Sequence, residues 1–209
     1  MESKTCRGNI YIASMNMRGE CARPIVNDSI KVNVTSAQGK ANKNRRDFSP
    51  MTEIPNGYNG YWNFESYWQS GKVFEDIPVE KTKKYWLELK EPKRRYPNSK
   101  YKKVLYAQFD DISLKMDYIT SRKLVYVPKY YELIKDREMT LCWKDMFEQG
   151  YNITIYDFDG PRTKQGGVCC LELTRELLIE KINDPQFPFG HGYVVGATIM
   201  GIHPEEYTY

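Results

Sequence analysis

One aromatic stretch carries three polar side chains at a spacing that suits chemistry. It reads Trp62-Asn63-Phe64-Glu65-Ser66-Tyr67-Trp68-Gln69-Ser70-Gly71-Lys72-Val73-Phe74. Glu65, Gln69 and Lys72 stand at i, i+4 and i+7, so a helix would place a carboxylate, an amide and an amine on one stripe. Tyr67, Trp68 and Phe74 would lie on other parts of that helix and pack it onto a core. Three polar groups converging from an aromatic helix can act on a polar substrate in a dry pocket. The plainer alternative is a solvated face with a weak Glu–Lys pair.

A second set is Asp157-Phe158-Asp159-Gly160-Pro161-Arg162. Strand alternation would point Asp157 and Asp159 to one side at a strand's carboxyl end, which in α/β sheets faces the ligand crevice. Two carboxylates there can divide acid and base roles, or hold Mg²⁺. Asp and Gly also favour turns, so the same letters suit a turn opener. They resemble the D-x-D-G start of haloacid-dehalogenase-type phosphatases, although in that family the motif opens the domain and here it stands late in the chain. His191, between Gly190 and Gly192, is either a reachable ligand contact or a loop residue without a role.

The elements around these residues set the context. Residues 9–15 and 29–35 alternate as short strands, the second with Ile30, Val32 and Val34 on one face. Residues 39–46 form a basic loop containing Arg45 and Arg46, either a solvated connector or a phosphate-facing segment. Residues 80–90 suit a helix with Tyr85, Trp86 and Leu89 inside. The Lys-rich run continues through Lys93, Arg94 and Arg95 to Lys103, broken by Pro92 and Pro97. Residues 123–127 suit a buried strand closed by Pro128. Residues 130–149 suit one or two helices capped by Gly150, and 151–156 a strand, so helix, Gly and strand suggest an α/β crossover. Residues 173–183 suit a helix, and 193–202 an apolar helix or strand.

At 209 residues, with 41% hydrophobic and 28% charged side chains, the expectation is one compact domain, α+β or mixed α/β. The net charge of +4 allows an anionic ligand without demanding nucleic acid. Seventeen tyrosines and four tryptophans give much contact area with polar tips. The five cysteines, Cys6, Cys21, Cys142, Cys169 and Cys170, include no C-x-x-C and fit buried thiols in a reducing compartment. Two histidines make a multi-His metal site improbable, so no metal and no cofactor are expected. No long apolar run and no apolar segment after the first residues are present, so a cytoplasmic protein without a membrane partner is expected. Frequent Lys, Asn, Tyr and Ile fit an AT-rich genome such as a virus's.

Glu65-Ser66-Tyr67-Trp68-Gln69-Ser70-Gly71-Lys72-Val73-Phe74 resembles the signature of the NADAR family (NAD- and ADP-ribose-related, YbiA-like), of the form E-H-x-[FYW]-Q-x-x-K-[FA]. Glu65, Trp68, Gln69 and Lys72 occupy its Glu, aromatic, Gln and Lys positions without a gap. Asp47-Phe48-Ser49-Pro50 is similar to the family's N-F-S-P-like turn, residues 56–62 fill the slot of its short Gly- and aromatic-rich hairpin, and Lys93-Arg94-Arg95 stands where it carries a basic segment. The likeness covers roughly residues 42–100, as a core with a C-terminal α/β extension. Ser66 replaces the usual His, and the later W-G-x-G-like segment is not evident.

The resemblance implies hydrolysis of an N-glycosidic bond to ADP-ribose, or handling of an ADP-ribose-like nucleotide or modified nucleic acid. Such cleavage develops oxocarbenium character at the ribose C1. A lysine amine, here Lys72, can trap the opened ribose as an imine. Glu65 would move the proton, with Asp157 and Asp159 joining the catalytic set. Gln69 would orient a ribose hydroxyl beside Trp68. Arg45, Arg46, Lys93 and Arg95 would hold the pyrophosphate. The competing classes are a non-catalytic nucleotide or nucleic-acid binder, and a partner-interaction protein whose aromatics mark an interface. Imine chemistry needs the primary amine of Lys72, whereas a binder needs only its charge.

Overall fold

The β-branched segments become the centre of a sheet. The computed structural model describes residues 6–17 and 28–209. Along the chain these form β1 (Ile10–Ser14), β2 (Ile30–Asn33), α1 (Lys43–Phe48), α2 (Phe64–Ser70), β3 (Lys72–Phe74), α3 (Val79–Glu88), β4 (Val104–Phe109) and β5 (Ile112–Met116). Then come α4 (Tyr118–Ser121), a π turn (Arg122–Tyr126), α5 (Val127–Ile134), α6 (Glu138–Glu148), β6 (Ile153–Asp157), β7 (Cys170–Glu172), α7 (Arg175–Asn183), α8 (His191–Met200) and a short 3₁₀ turn (Pro204–Glu206). The mixed α+β class expected from the sequence is what forms. Cys21 lies outside the described residues.

The chain makes two compact units. One joins the residues up to Ser49 with Val127–Tyr209, and the other is Pro50–Tyr126. The segment 42–100 is therefore divided between them.

In the first unit the sheet order is β2-β6-β1-β7. β6 runs parallel to both neighbours, with Ile10 opposite Ile153 on one side and Ile30 opposite Ile153 on the other. β7 is antiparallel to β1. Ile10, Ile12, Val32, Ile153 and Ile155 are buried, as parallel strands covered by helices require. α8 packs on β1 and β6 and against α5 and α6. Its Val194, Val195, Ala197 and Ile199 are all at 0% exposure, so it is apolar all round because it is buried all round. That resolves the segment 193–202 as a helix, ended by Gly201 in the left-handed conformation.

The segment 123–127 is not a strand. Val125 and Val127 are buried as expected, but they sit in the π turn and the start of α5. Pro128 is inside α5 rather than closing a strand. A wider π turn just before a proline accommodates the missing N–H and the ring. A short apolar run alone could not separate the two outcomes.

The second unit holds an antiparallel sheet, β3-β4-β5, with α2 packed on α3. Its entry is a double turn. Gly57 N–H donates to Ile54 O at 2.8 Å, with Pro55 and left-handed Asn56 between them, as in a type II turn. Tyr58 and Tyr61 then exchange backbone hydrogen bonds of 2.7 and 2.9 Å around Asn59-Gly60. Both turn residues have positive φ, the arrangement of a type I′ hairpin.

Candidate functional site

α2 begins at Asn63, whose side chain accepts from Ser66 N–H at 2.7 Å and donates to Met51 O at 3.0 Å. This buried Asn caps the helix and ties it to the preceding turn. The aromatic faces expected to pack α2 do so. Tyr67 is 2% exposed and donates to Asp111 at 3.0 Å. Burial, and then that hydrogen bond, hold its phenol well above the usual range, so it stays neutral. Trp68 stacks on Phe109 at 5.7 Å and meets Tyr126 edge-on at 4.9 Å.

The polar stripe is partly as expected. Gln69 Nε2 donates to Glu65 Oε1 at 2.6 Å, so these two share one face. Lys72 does not extend that stripe, because α2 stops at Ser70 and Lys72 opens β3 opposite Ala107. The cause is Gly71. It has ordinary right-handed φ, so it is not there for conformational freedom. A Cβ at Gly71 would overlap the Phe109 ring. β4 thus approaches the chain where only glycine fits, and Val73 and Phe74 carry on as strand. Lys72 is half-buried. Lys72 is three residues on from Gln69, so their Cα atoms are within about 11 Å. Glu65, Trp68, Gln69 and Lys72 all belong to the second unit, the first three on α2 and Lys72 at the start of β3.

The remaining expected residues have other surroundings. Lys93 and Arg95 are exposed, with Lys93 pairing Glu91 at 3.2 Å. Arg45 and Arg46 belong to the first unit. They lie in α1, capped by Asn42, not in a loop. Arg45 donates to Gln38 O. Arg46 holds Asp47 at 2.7 Å and Glu138 at 2.8 Å. Those two carboxylates raise the guanidinium pKa further, so its fork is already committed to carboxylates.

Asp157 and Asp159, also in the first unit, both lie beside Gly190, where a Cβ would meet Asp157 Oδ2 and Asp159 Cβ, but they differ in burial. β6 ends at Asp157, and a turn carries Asp159 to the exposed surface. Asp157 is 2% exposed and accepts from Gly192 N–H at 2.9 Å, at the start of α8. His191 Nδ1 lies 3.1 Å from the same oxygen, and its Nε2 lies 3.0 Å from Val34 O. His191 is thus a mostly buried bridge between β2, β6 and α8, not an exposed loop residue. The flanking glycines let the helix start sit on the carboxylate, since a Cβ at Gly192 would meet Asp157 Cβ at 2.9 Å.

Asp47 plays the same part for α6. It accepts from Met139 N–H at 3.0 Å while holding Arg46. The sequence marked it only as part of the Asp47–Pro50 turn, because its partner helix begins some ninety residues later. A cleft of about 460 Å³ beside the double turn was also not legible. Its lining includes Glu53, Tyr61, Trp62 and Lys90. The Asn59-Gly60 turn signal was readable, but the approach of Lys90 was not.

Among the described residues no three His, Cys, Asp or Glu side chains gather to hold a metal. No helix among them is long and apolar enough to cross a membrane. No family model matches the chain, and neither a curated protein nor a solved structure matches it.

Proposed function

We propose that the unit Pro50–Tyr126 cleaves the N-glycosidic bond of an ADP-ribose-like or ribosyl-nucleotide-like substrate. The observation that carries this reading is the 2.6 Å Gln69–Glu65 hydrogen bond two short steps ahead of half-buried Lys72. A carboxylate with a fixed orientation, an amide and a primary amine are the groups such a reaction needs.

The Lys72 amine attacks the ribose C1. The C1–N bond breaks, its electron pair goes to the departing base, and Glu65 supplies the proton. The amine proton passes to the Glu65 carboxylate. The C1–O4 bond then opens, O4 takes a proton, and C1 is held as an imine on Lys72. Water adds to C1, the C1–N bond to lysine breaks, and the sugar closes and leaves. The sum is hydrolysis, with base and ribose as products. Gln69 orients a ribose hydroxyl, and Lys93 and Arg95 offer charge to phosphates. Arg45 and Arg46 carry no part of the proposal, because their donors are engaged within the first unit.

The test is a chromatographic screen for ribose or ADP-ribose released from candidate nucleotides and modified DNA. Release that depends on Lys72 supports the reading. Binding without release makes the unit a nucleotide-binding module.

A further inference from the structure

Three uncommitted side chains meet on the cleft beside the double turn. Trp68 stacks on Phe109, Trp86 meets Tyr85, and Trp143 donates to Asn44 at 2.8 Å. Trp62 differs from them. Among the described residues its ring has neither a ring partner nor a side-chain hydrogen bond, and it lines the cleft half-exposed. Glu53 and Lys90 line the same cleft, and among the described residues neither makes an ion pair or a side-chain hydrogen bond. Two opposite charges share one cleft without neutralising each other. Two tight turns build one wall. Asn56, Gly57, Asn59 and Gly60 all have positive φ, and a Cβ at Gly57 would meet Tyr61 O at 2.7 Å. The volume, about 460 Å³, is in the range of small-molecule sites.

We infer that this cleft is a nucleotide seat, with an aromatic base lying on Trp62, Glu53 accepting a base N–H, and Lys90 holding a phosphate. A flat ring, a donor edge and an anion are together the chemistry of a base-bearing phosphate. Ribose phosphate alone would leave Trp62 and Glu53 unused, and a nucleoside alone would leave Lys90 unused. The inference rests on the proposed function for the sugar end of the ligand. It adds where the base is read, and its test reads binding rather than turnover. The shared chemistry can come from a free nucleotide or from a nucleotide in a single strand.

The test is equilibrium dialysis of the full chain at low salt with AMP, adenosine, ribose 5-phosphate and a short single-stranded adenine oligonucleotide. AMP is expected to bind saturably, and adenosine and ribose 5-phosphate about tenfold or more weakly. Trp62→Leu and Lys90→Gln should each weaken AMP by about tenfold, the scale of one lost stack or charge contact. Trp62→Phe keeps a ring and should stay within about threefold of the parent. A parent chain that binds AMP through Trp62 but releases no ribose or ADP-ribose from any candidate substrate would sink the glycosidase reading alone. An oligonucleotide that outbinds AMP assigns the seat to a strand, and the reverse assigns it to a free nucleotide. No saturable binding of either, or AMP binding that Trp62→Leu leaves unchanged, overturns the inference.

Discussion

Gln69 donates from Nε2 to Oε1 of Glu65 at 2.6 Å, one turn apart on α2. The bond orients the carboxylate from within the same short helix. Asn63 fixes that helix at its start, and Gly71, set against Phe109, ends it.

Glu65→Gln keeps an acceptor for Gln69 and removes the proton donor. We expect turnover to fall by about 10²-fold or more, the usual effect of losing a general acid or base. The thermal midpoint should change little. Loss of the fold instead would make Glu65 a structural residue.

Gly71→Ala puts a methyl group on the Phe109 ring. Overpacking of this kind costs about 1–3 kcal/mol, read from urea unfolding. Near-ultraviolet circular dichroism should change with it, because Phe109 stacks on Trp68 at 5.7 Å. A variant as stable as the parent would show that Phe109 yields freely and that Gly71 does not set the helix end.

Much of the fold was legible because it rests on local patterns. Ile10–Ser14 is rich in β-branched and aromatic residues, Ile30–Asn33 alternates, Gly150 sits with φ +93 after α6, and Asn59-Gly60 makes a two-residue turn. The failures were tertiary. Lys72 leaves the helical stripe because a ring from β4 occupies the space beside Gly71. Val125 and Val127 are buried in helical turns because an apolar run has the same letters in either structure. Asp157 is buried and Asp159 exposed because β6 ends at Asp157 and a turn follows. The commitment of Arg46 to Glu138 depends on a helix far along the chain.

Asp157→Ala removes the acceptor for Gly192 N–H and the partner of His191. Leaving these buried groups unpaired should cost about 2–4 kcal/mol. Asp157→Asn keeps an acceptor and should cost less. Urea unfolding of both variants checks this. Equal stability of parent and Asp157→Ala would show that the carboxylate does not hold α8.

Glu138 has a pKa below its ordinary value, first through hydrogen bonds from Lys43 and Arg46 and then through their charges. A carboxylate lowered in the folded state stabilises above its unfolded pKa, and that contribution is lost as pH falls through the folded value. The stability difference between the parent and Glu138→Gln should therefore be steady near neutrality and vanish at the acid end. It should also shrink in high salt, since the pair is exposed. A difference that grows on acidification would contradict this.

Lys72 carries the central claim, and reductive trapping tests it most directly. Borohydride added during turnover should leave a sugar adduct on the peptide containing Lys72. In Lys72→Arg the adduct and turnover should both vanish, while ligand affinity stays within about tenfold, or ~1.4 kcal/mol. Full turnover in Lys72→Arg, with no adduct trapped in the parent, would contradict the account.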